Sequence, residues 1–480
     1  MPTVAFYTLG CKVNAYETEA IWRLFEQSGY TRVDFEDESD VYVINTCTVT
    51  NTGDQKSRKI IRRAVRKNPE AVIAVTGCYA QTSPAEVLSI PGVDIVIGTN
   101  GRSRLLEYVE EVRQTRRPIN AVTNIMKVRE YENLSVTQFA ERTRAFLKIQ
   151  EGCNNFCTFC IIPWAKGLAR SRRPEDVLRE ARTLVENGYK EIVLTGTHTG
   201  GYGEDLENHS LADLLRDLSR IDGLERIRIS SIEASQITDG VLEAIGSSDK
   251  LCRHFHIPLQ SGDDTILKRM RRKYTTAEYA ARVERIRAIF PDAAITTDVI
   301  VGFPGETEAM FEASYRLIED IGFSELHVFP YSKRSGTPAA RMPGQVPEAE
   351  KKRRVRALLE LDASLKRRYR SRFLGQVLTV IPEAHHDLPP TTLNRAHEDR
   401  DRDRPQQSIS AERHTQADAG KTVPARLLIG LTDNYLRVVF PGDASLIGEL
   451  VRVRLEALDG DVIRGTPVRV LSGRTAVRHA

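Results

Sequence analysis

Three stretches in the first eighty residues repeat one pattern. "TVAFYTLG", "DVYVINT" and "AVIAVTG" are short apolar, β-branched runs that end in a small or polar residue, and cysteine follows each at once: Cys11, Cys47 and Cys78. A stretch of helical character comes next, as in "NAYETEAIWRLFEQSG" and "TGDQKSRKIIRRAVRKN". Strand, turn and helix in alternation predict a parallel sheet covered by helices. Ligands of such sheets gather outside the carboxyl ends of the strands. The three cysteines are therefore expected together on one edge, as a metal site. Three buried small hydrophobes is the competing reading.

The alternation resumes on a larger scale from Arg144. Strand-like runs appear at "AFLKIQ", "EIVLTG", "RIRISSIEA", "HFHIPLQSG", "AITTDVIVGFPG" and "ELHVFPYS", separated by helical stretches such as "PEDVLREARTLVENG". Six successive βα units predict a full or partial α/β barrel, with its chemistry in the loops after the strands. From near Phe373, "GQVLTVIPEA", "VPARLLIGLTDNYLRVVFPG" and "LIGELVRVRLEALDGDVIRGTPV" read as strands of a small β-barrel of the nucleic-acid-binding kind. The expected class is α/β: an N-terminal parallel-sheet domain (1–125), a central partial (β/α) barrel (139–371) and a C-terminal small β-barrel (372–475). A chain of 480 residues is too long for one core, and roughly three domains suit its length. A segment at 384–421, poor in aliphatics and rich in Pro, Asp, Arg and Gln, reads as a disordered insertion. Its scattered histidines, His385, His386, His397 and His414, read as loop residues more readily than as metal ligands.

Composition narrows the function classes. The chain is 41% apolar and 28% charged, with a mean hydropathy of −0.35, as in soluble globular proteins. No apolar run approaches the ~20 residues of a membrane helix. The start, "MPTVAFYTLGCK", lacks the basic stretch and long apolar core of a secretory signal. The expected location is cytoplasmic, with no membrane partner. Seven cysteines in such a chain argue against a disulfide framework and for metal or redox chemistry. The net charge is only +4, yet basic residues cluster at 58–67, 268–273 ("KRMRRK") and 351–356. Each run reads as a solvated helix face or as a contact for a polyanion.

One motif is more specific. Cys153, Cys157 and Cys160 stand at C-x3-C-x2-C spacing directly after the first barrel strand, and no further cysteine comes until Cys252. A structural zinc site closes four ligands, whereas a cubane iron–sulfur cluster held by three thiolates keeps one iron open to a guest. This spacing, at this place in a barrel, is the signature of the radical S-adenosylmethionine (SAM) enzymes. Cys252 has no partner in either trio and reads as a core residue.

A radical cluster motif preceded by a sheet domain with three more cysteines resembles the methylthiotransferases, over nearly the whole chain. The resemblance implies two 4Fe-4S clusters, one held by Cys11, Cys47 and Cys78 and the other by Cys153, Cys157 and Cys160, the catalytic trio that presents SAM. It implies a third, RNA-binding domain called TRAM, whose core "GLTDNYLRV" (430–438) resembles. It also implies tRNA as substrate, an electron donor such as flavodoxin or ferredoxin, and a sulfur donor. "GCKVNAYETEA", "CNNFCTFCIIPWAKGLARSR" and "LTGTHTGGYG" look like the branch that modifies N6-threonylcarbamoyladenosine next to the anticodon. That branch usually carries Arg where Lys166 stands, so the charge is kept and the planar fork of a substrate contact is lost. Isopentenyladenosine in tRNA and a ribosomal protein are the targets of the neighbouring branches, and a non-catalytic iron–sulfur RNA-binding protein is the reading from another class.

The family resemblance extends to further positions. Phe159 would pack beside the SAM adenine, and Thr197 and His198 in "LTGTHTGG" would hold its methionine end. Glu233 and Ser235 would meet the ribose hydroxyls, with a satisfied core carboxylate as the alternative for Glu233. His256, Gln260 and Asp298 are expected around the cofactor, although His256 reads equally well as a packed histidine. Tyr435 and Arg437 would stack on and neutralise single-stranded RNA. Reaching C2 of an adenine requires drawing the base out of its stack.

Overall fold

The computed structural model describes residues 1–139, 143–385 and 426–471. They fall into two compact units, one of Met1–Glu141 with Ala145–Asp362 and one of Arg142–Arg144 with Ala363–Ala480.

The first unit begins with a six-stranded sheet built from β1 (Thr3–Thr8), β2 (Thr31–Val33), β3 (Val41–Thr46), β4 (Val72–Gly77), β5 (Ile95–Val96) and β6 (Ile119–Asn120). The strands lie in the order β2-β1-β3-β4-β5-β6, every pair parallel. Successive side chains of a strand point to opposite faces, and here both faces are covered. Val41, Val43, Val72 and Ala74 join one apolar cluster, while Tyr42, Ile44, Ile73 and Val75 join the other. This is why β3 and β4 are apolar without alternation. Helix α1 (Lys12–Gln27) follows β1, α2 (Asn51–Lys67) follows β3 and α3 (Cys78–Thr82) follows β4. The Thr50 hydroxyl accepts from the Gly53 amide to cap α2. The basic run in α2 is partly engaged within the fold, since Arg58 binds Glu86 and Arg63 pairs with Glu36.

From Ala145 the same unit continues with β7 (Arg144–Glu151), whose first residue falls in the second unit, and then β8 (Arg170–Ser171), β9 (Glu191–Gly196), β10 (Arg226–Ile229), β11 (His254–His256), β12 (Ala294–Val301) and β13 (Glu325–Pro330). The strands form two sheets, β10-β9-β7-β8 and β11-β12-β13. One parallel bridge, Ile227 to Leu251, and the Ile232 amide on the His256 carbonyl at 3.0 Å link them. The expected barrel is thus the partial form. Six of these strands match the six expected runs, though "RIRISSIEA" and "HFHIPLQSG" yield only four and three strand residues. The short β8, antiparallel to β7, is an addition. Cys252 is buried, and its amide donates to the Ile227 carbonyl at 2.9 Å where the two sheets meet.

The second unit is a closed barrel of β14 (Val377–His385), β15 (Leu427–Thr432), β16 (Arg437–Pro441), β17 (Val451–Asp459) and β18 (Val462–Val470), in the order β14-β15-β16-β18-β17. Val451, Val453 and Leu455 point inward while Arg452, Arg454 and Glu456 face solvent, the period of two that a half-buried strand needs. Closure leaves no open sheet edge. The segment expected as an insertion at 384–421 lies, from 386 onward, outside the described residues; Ala384 and His385 complete β14.

Candidate active site

Strand β7 leads into a loop that folds back on itself. Gly152 adopts a φ of +78°, and a β-carbon there would lie 1.9 Å from the Leu168 carbonyl oxygen, so the two arms of the loop meet only because residue 152 is glycine. The Cys153 amide donates to the Gly167 carbonyl and the Cys160 amide to the Cys157 carbonyl, both at 3.0 Å. Between them Phe156 takes a φ of 47°, a region that bulky residues rarely occupy. The curl gathers the three thiols: Cys157 and Cys153 both act electrostatically on Cys160. Burial first, and the neighbouring thiols after it, push Cys160 up to about 12, and burial likewise takes Cys153 to about 11. Such thiols stay protonated at neutral pH until a metal displaces their protons. All three are free of disulfides. Among the described residues no three His, Cys, Asp or Glu side chains converge on one ion position. A cubane does not require convergence, because its thiolates bind separate iron corners. Three sulfur donors and no fourth suit an iron–sulfur cluster with one open iron.

Beside Cys157 lies a cavity of about 230 Å³, lined by Asn155, His198, Glu233, Ser235, Gln236 and Arg272 among others. Three of the expected cofactor residues, His198, Glu233 and Ser235, thus meet around Cys157. The His198 amide donates to Gln150 Oε1 at 2.8 Å, and His198 Nε2 lies 3.1 Å from Asn155 Nδ2. Burial lowers the His198 pKa below its ordinary value, so the ring is neutral at pH 7. His198 Nδ1 and Gln236 Oε1 are buried and have no hydrogen-bond partner among the described residues. Buried polar atoms are normally satisfied, and a polar guest in the cavity would satisfy these.

The remaining candidates lie outside the lining of this cavity. Half-buried Thr197 precedes His198 at the end of β9. His256 and Asp298 face each other on β11 and β12, with Nε2 3.3 Å from Oδ1, and His256 Nδ1 lies 2.9 Å from Thr296 Oγ1. The Gln260 backbone sits at a φ of 66° with its buried Oε1 likewise lacking a partner among the described residues. Phe159 packs edge-on against Phe303, beside Ile266, Met270 and Tyr331.

Sequence reasoning missed Arg272. The run 268–273 was expected to be a solvated face or a polyanion contact, and the structure corrects this for one member. The Arg272 side chain is only 5% exposed and is paired with Glu233. Its Nη1 lies 3.4 Å from Cys157 Sγ. Nothing in "KRMRRK" separates the buried arginine from its solvated neighbours except the apolar Met270 two positions before it, which is itself buried.

The other trio sits on the carboxyl edge of the first sheet, as the repeated pattern predicts. Cys11 precedes α1, Cys47 follows β3 and Cys78 opens α3. Gly10 has a φ of +101°, and a β-carbon there would lie 3.1 Å from Cys47 Sγ, so the loop ends approach closely. Cys47 and Cys11 both act on Cys78, whose thiol burial drives far up. This second all-sulfur trio also suits a cluster with one open iron.

Tertiary packing brings the two trios into one region. Helix α3, which begins at Cys78, packs against the helix Ile162–Lys166 that follows Cys160. Thr99 Oγ1 donates to the Ala165 carbonyl at 2.6 Å in the same seam. Arg334, after β13, reaches Asp54 at 2.6 Å and donates to Thr48 Oγ1, next to Cys47, at 2.5 Å. At the centre is a buried ion cluster. Glu17 of α1 binds Arg102 at 2.5 Å, Lys148 at 2.8 Å and Lys166 at 2.7 Å. Glu151 binds Lys148 at 2.9 Å and Lys166 at 3.1 Å. Lys166, where the loss of the planar fork put a substrate contact in doubt, reaches inward to these carboxylates.

A family model described as the Radical SAM superfamily matches residues 147–318, and one described as uncharacterized protein family UPF0004 matches residues 3–98. The Threonylcarbamoyladenosine tRNA methylthiotransferase MtaB of Bacillus subtilis (strain 168) is 55% identical over 98% of this chain and 97% of its own length. The chain belongs to the radical SAM methylthiotransferase family. A tRNA-2-methylthio-N(6)-dimethylallyladenosine synthase of Desulfitobacterium hafniense is 36% identical, covering 93% of each chain. Among solved structures, the radical S-adenosylmethionine methyltransferase TsrM of Kitasatospora setae, with cobalamin and a 4Fe-4S cluster bound, aligns with a TM-score of 0.54 at 16% identity, over 70% of this chain and 77% of its own. It shares the fold. This methylthiotransferase is an enzyme, and no helix among its described residues is long and apolar enough to cross a membrane.

Proposed function

We propose that this enzyme methylthiolates C2 of N6-threonylcarbamoyladenosine next to the anticodon of tRNA, giving 2-methylthio-N6-threonylcarbamoyladenosine. The observation that carries the reading is the pair of all-cysteine trios held in one compact unit. The branch rests on the 55% identity to a protein named for that nucleoside, against 36% for one named for dimethylallyladenosine.

The cofactors are SAM and two 4Fe-4S clusters; Cys153, Cys157 and Cys160 would hold the cluster that supplies one-electron chemistry on SAM, and Cys11, Cys47 and Cys78 would hold the cluster that supplies the sulfur. The protein's own residues position and shield. His198, Glu233 and Ser235 would orient the SAM methionine and ribose in the cavity beside Cys157, and the neutral His198 ring keeps a lone pair for a donor. The buried ion cluster would help fix the spacing of the trios. The reading places the enzyme in the cytoplasm, with a small electron carrier such as flavodoxin or ferredoxin and a sulfur donor as partners.

The closed barrel would hold the tRNA as a TRAM domain. Tyr435, at the tip between β15 and β16, has a φ of 66°, and in the same turn the Leu436 amide donates to Thr432 Oγ1 at 2.8 Å. Base–aromatic stacking is worth ~1–3 kcal/mol. Tyr435→Ala is expected to weaken tRNA binding about tenfold in a filter-binding assay, with cluster content unchanged.

Nucleoside mass spectrometry of tRNA from cells lacking the gene tests the target. The methylthio form of N6-threonylcarbamoyladenosine should vanish and the isopentenyl form persist. The reverse result would transfer the enzyme to the neighbouring branch.

A further inference from the structure

We infer that Arg272 tunes the radical cluster, donating an N–H to the Cys157 sulfur and holding a positive charge beside it, with Glu233 as the counter-charge that limits the effect. The inference rests on the assignment of Cys153, Cys157 and Cys160 as cluster ligands.

The guanidinium is fixed on every side. Nη1 lies 3.4 Å from Cys157 Sγ, Nε donates to the Tyr274 hydroxyl at 3.0 Å, and Nη2 pairs with Glu233 while also reaching the Pro258 carbonyl at 3.5 Å. An arginine this buried, 5% exposed, pays a desolvation cost that only specific partners offset. Tyr274 is held in turn, its hydroxyl donating toward the Pro258 and Leu259 carbonyls at 2.7 and 2.8 Å. The donor therefore cannot swing away from the sulfur.

The physics sets the sign. Reducing a cluster adds one electron and makes its thiolates more electron-rich. An N–H donor to a ligand sulfur, and a cation nearby, stabilise the reduced state and raise the reduction potential. Glu233, 17% exposed and on the cavity side, acts in the opposite direction by neutralising the cation. Arginine suits the place better than lysine because its planar fork can serve sulfur, hydroxyl and carboxylate together.

The test is a potentiometric titration of the anaerobically reconstituted full-length protein followed by electron paramagnetic resonance, the radical cluster being identified by the change in its signal when SAM is added. Arg272→Gln is expected to lower the ratio of reduced to oxidised cluster at a fixed potential about tenfold, which for one electron is about 59 mV. Arg272→Lys, which keeps the charge and loses the fork, should show a smaller fall. Glu233→Gln, which frees the cation, should raise the ratio. Opposite signs are what a merely structural role would not produce. Unchanged midpoints, or shifts of the same sign in Arg272→Gln and Glu233→Gln, overturn the inference. If Arg272→Gln fails to retain its iron, Glu233→Gln decides alone: a rise supports the role and no rise ends it. If the unsubstituted protein shows no SAM-responsive signal, the cluster assignment itself has failed, and with it this inference.

Discussion

Replacing Cys11, Cys47 and Cys78 together by alanine is expected to halve the iron and sulfide of the anaerobically purified protein, from about eight irons to about four. No cysteine is shared between the trios, and the two lie on different elements of the unit, one on the edge of the first sheet and one in the loop after β7. The remaining four irons should still support reductive cleavage of SAM, read as 5′-deoxyadenosine, because the cavity beside Cys157 is lined by residues of the radical SAM core. Methylthiolated nucleoside should fall below detection, since the sulfur would have no site to come from. The complementary replacement of Cys153, Cys157 and Cys160 should abolish both 5′-deoxyadenosine and product while leaving the first cluster in place. Iron content that stays whole in the first triple variant, or zinc in place of iron, would remove the basis for the proposed chemistry.

The second large effect is on stability. Glu17→Ala should cost about 3–5 kcal/mol of unfolding free energy, the range for breaking a buried charge pair by removing one partner. The side chain is 2% exposed and touches Arg102, Lys148 and Lys166, so its loss leaves three buried cations to share Glu151 and Glu132. Lys166→Met should cost less, because Arg102 and Lys148 remain on Glu17 and an apolar chain of similar length fills the space. Urea unfolding of the two variants measures the difference; equal costs would mean that packing, not charge, dominates here. A pH dependence follows. Burial alone would raise the Glu17 carboxyl, but Arg102, Lys148 and Lys166 together hold it well below its ordinary value, and Lys148 and Lys166 hold Glu151 low in the same way. A depressed carboxyl contributes stability that is complete above the unfolded value near ~4.3 and is lost as pH falls through the lower folded one. Acid unfolding should therefore shift to a higher pH in proteins with a weakened cluster such as Lys166→Met, which circular dichroism would follow.

The elements of this protein were legible because their signals are local. Period-two and continuous apolar runs mark strands, the helical stretches between them force parallel pairing, and the spacing of Cys153, Cys157 and Cys160 is set by one loop of covalent chain. The same logic put Cys11, Cys47 and Cys78 on a common edge, because every crossover returns the chain to the same end of the sheet. Partners chosen across the fold were not legible. A lysine or arginine is normally solvated, and its sequence context does not announce burial. Lys166 read only as a lysine in the place of an arginine and Arg272 as part of a basic surface, yet the first is neutralised by a glutamate from α1 and the second by a glutamate beyond β10. Where β-strands end also escaped, since regular pairing of "HFHIPLQSG" stops after three residues and resumes only as a single bridge from Gln260 to Val299. The sequence by itself determined the strands, the edges and the places of the six cysteines on them. Only the tertiary structure decided that α3 packs on Ile162–Lys166, that Glu17, Arg102, Glu132, Lys148, Glu151, Lys166 and Arg170 meet in one charge cluster, and that a guanidinium sits against Cys157, because those contacts join residues whose affinity for one another appears only when water is excluded from between them.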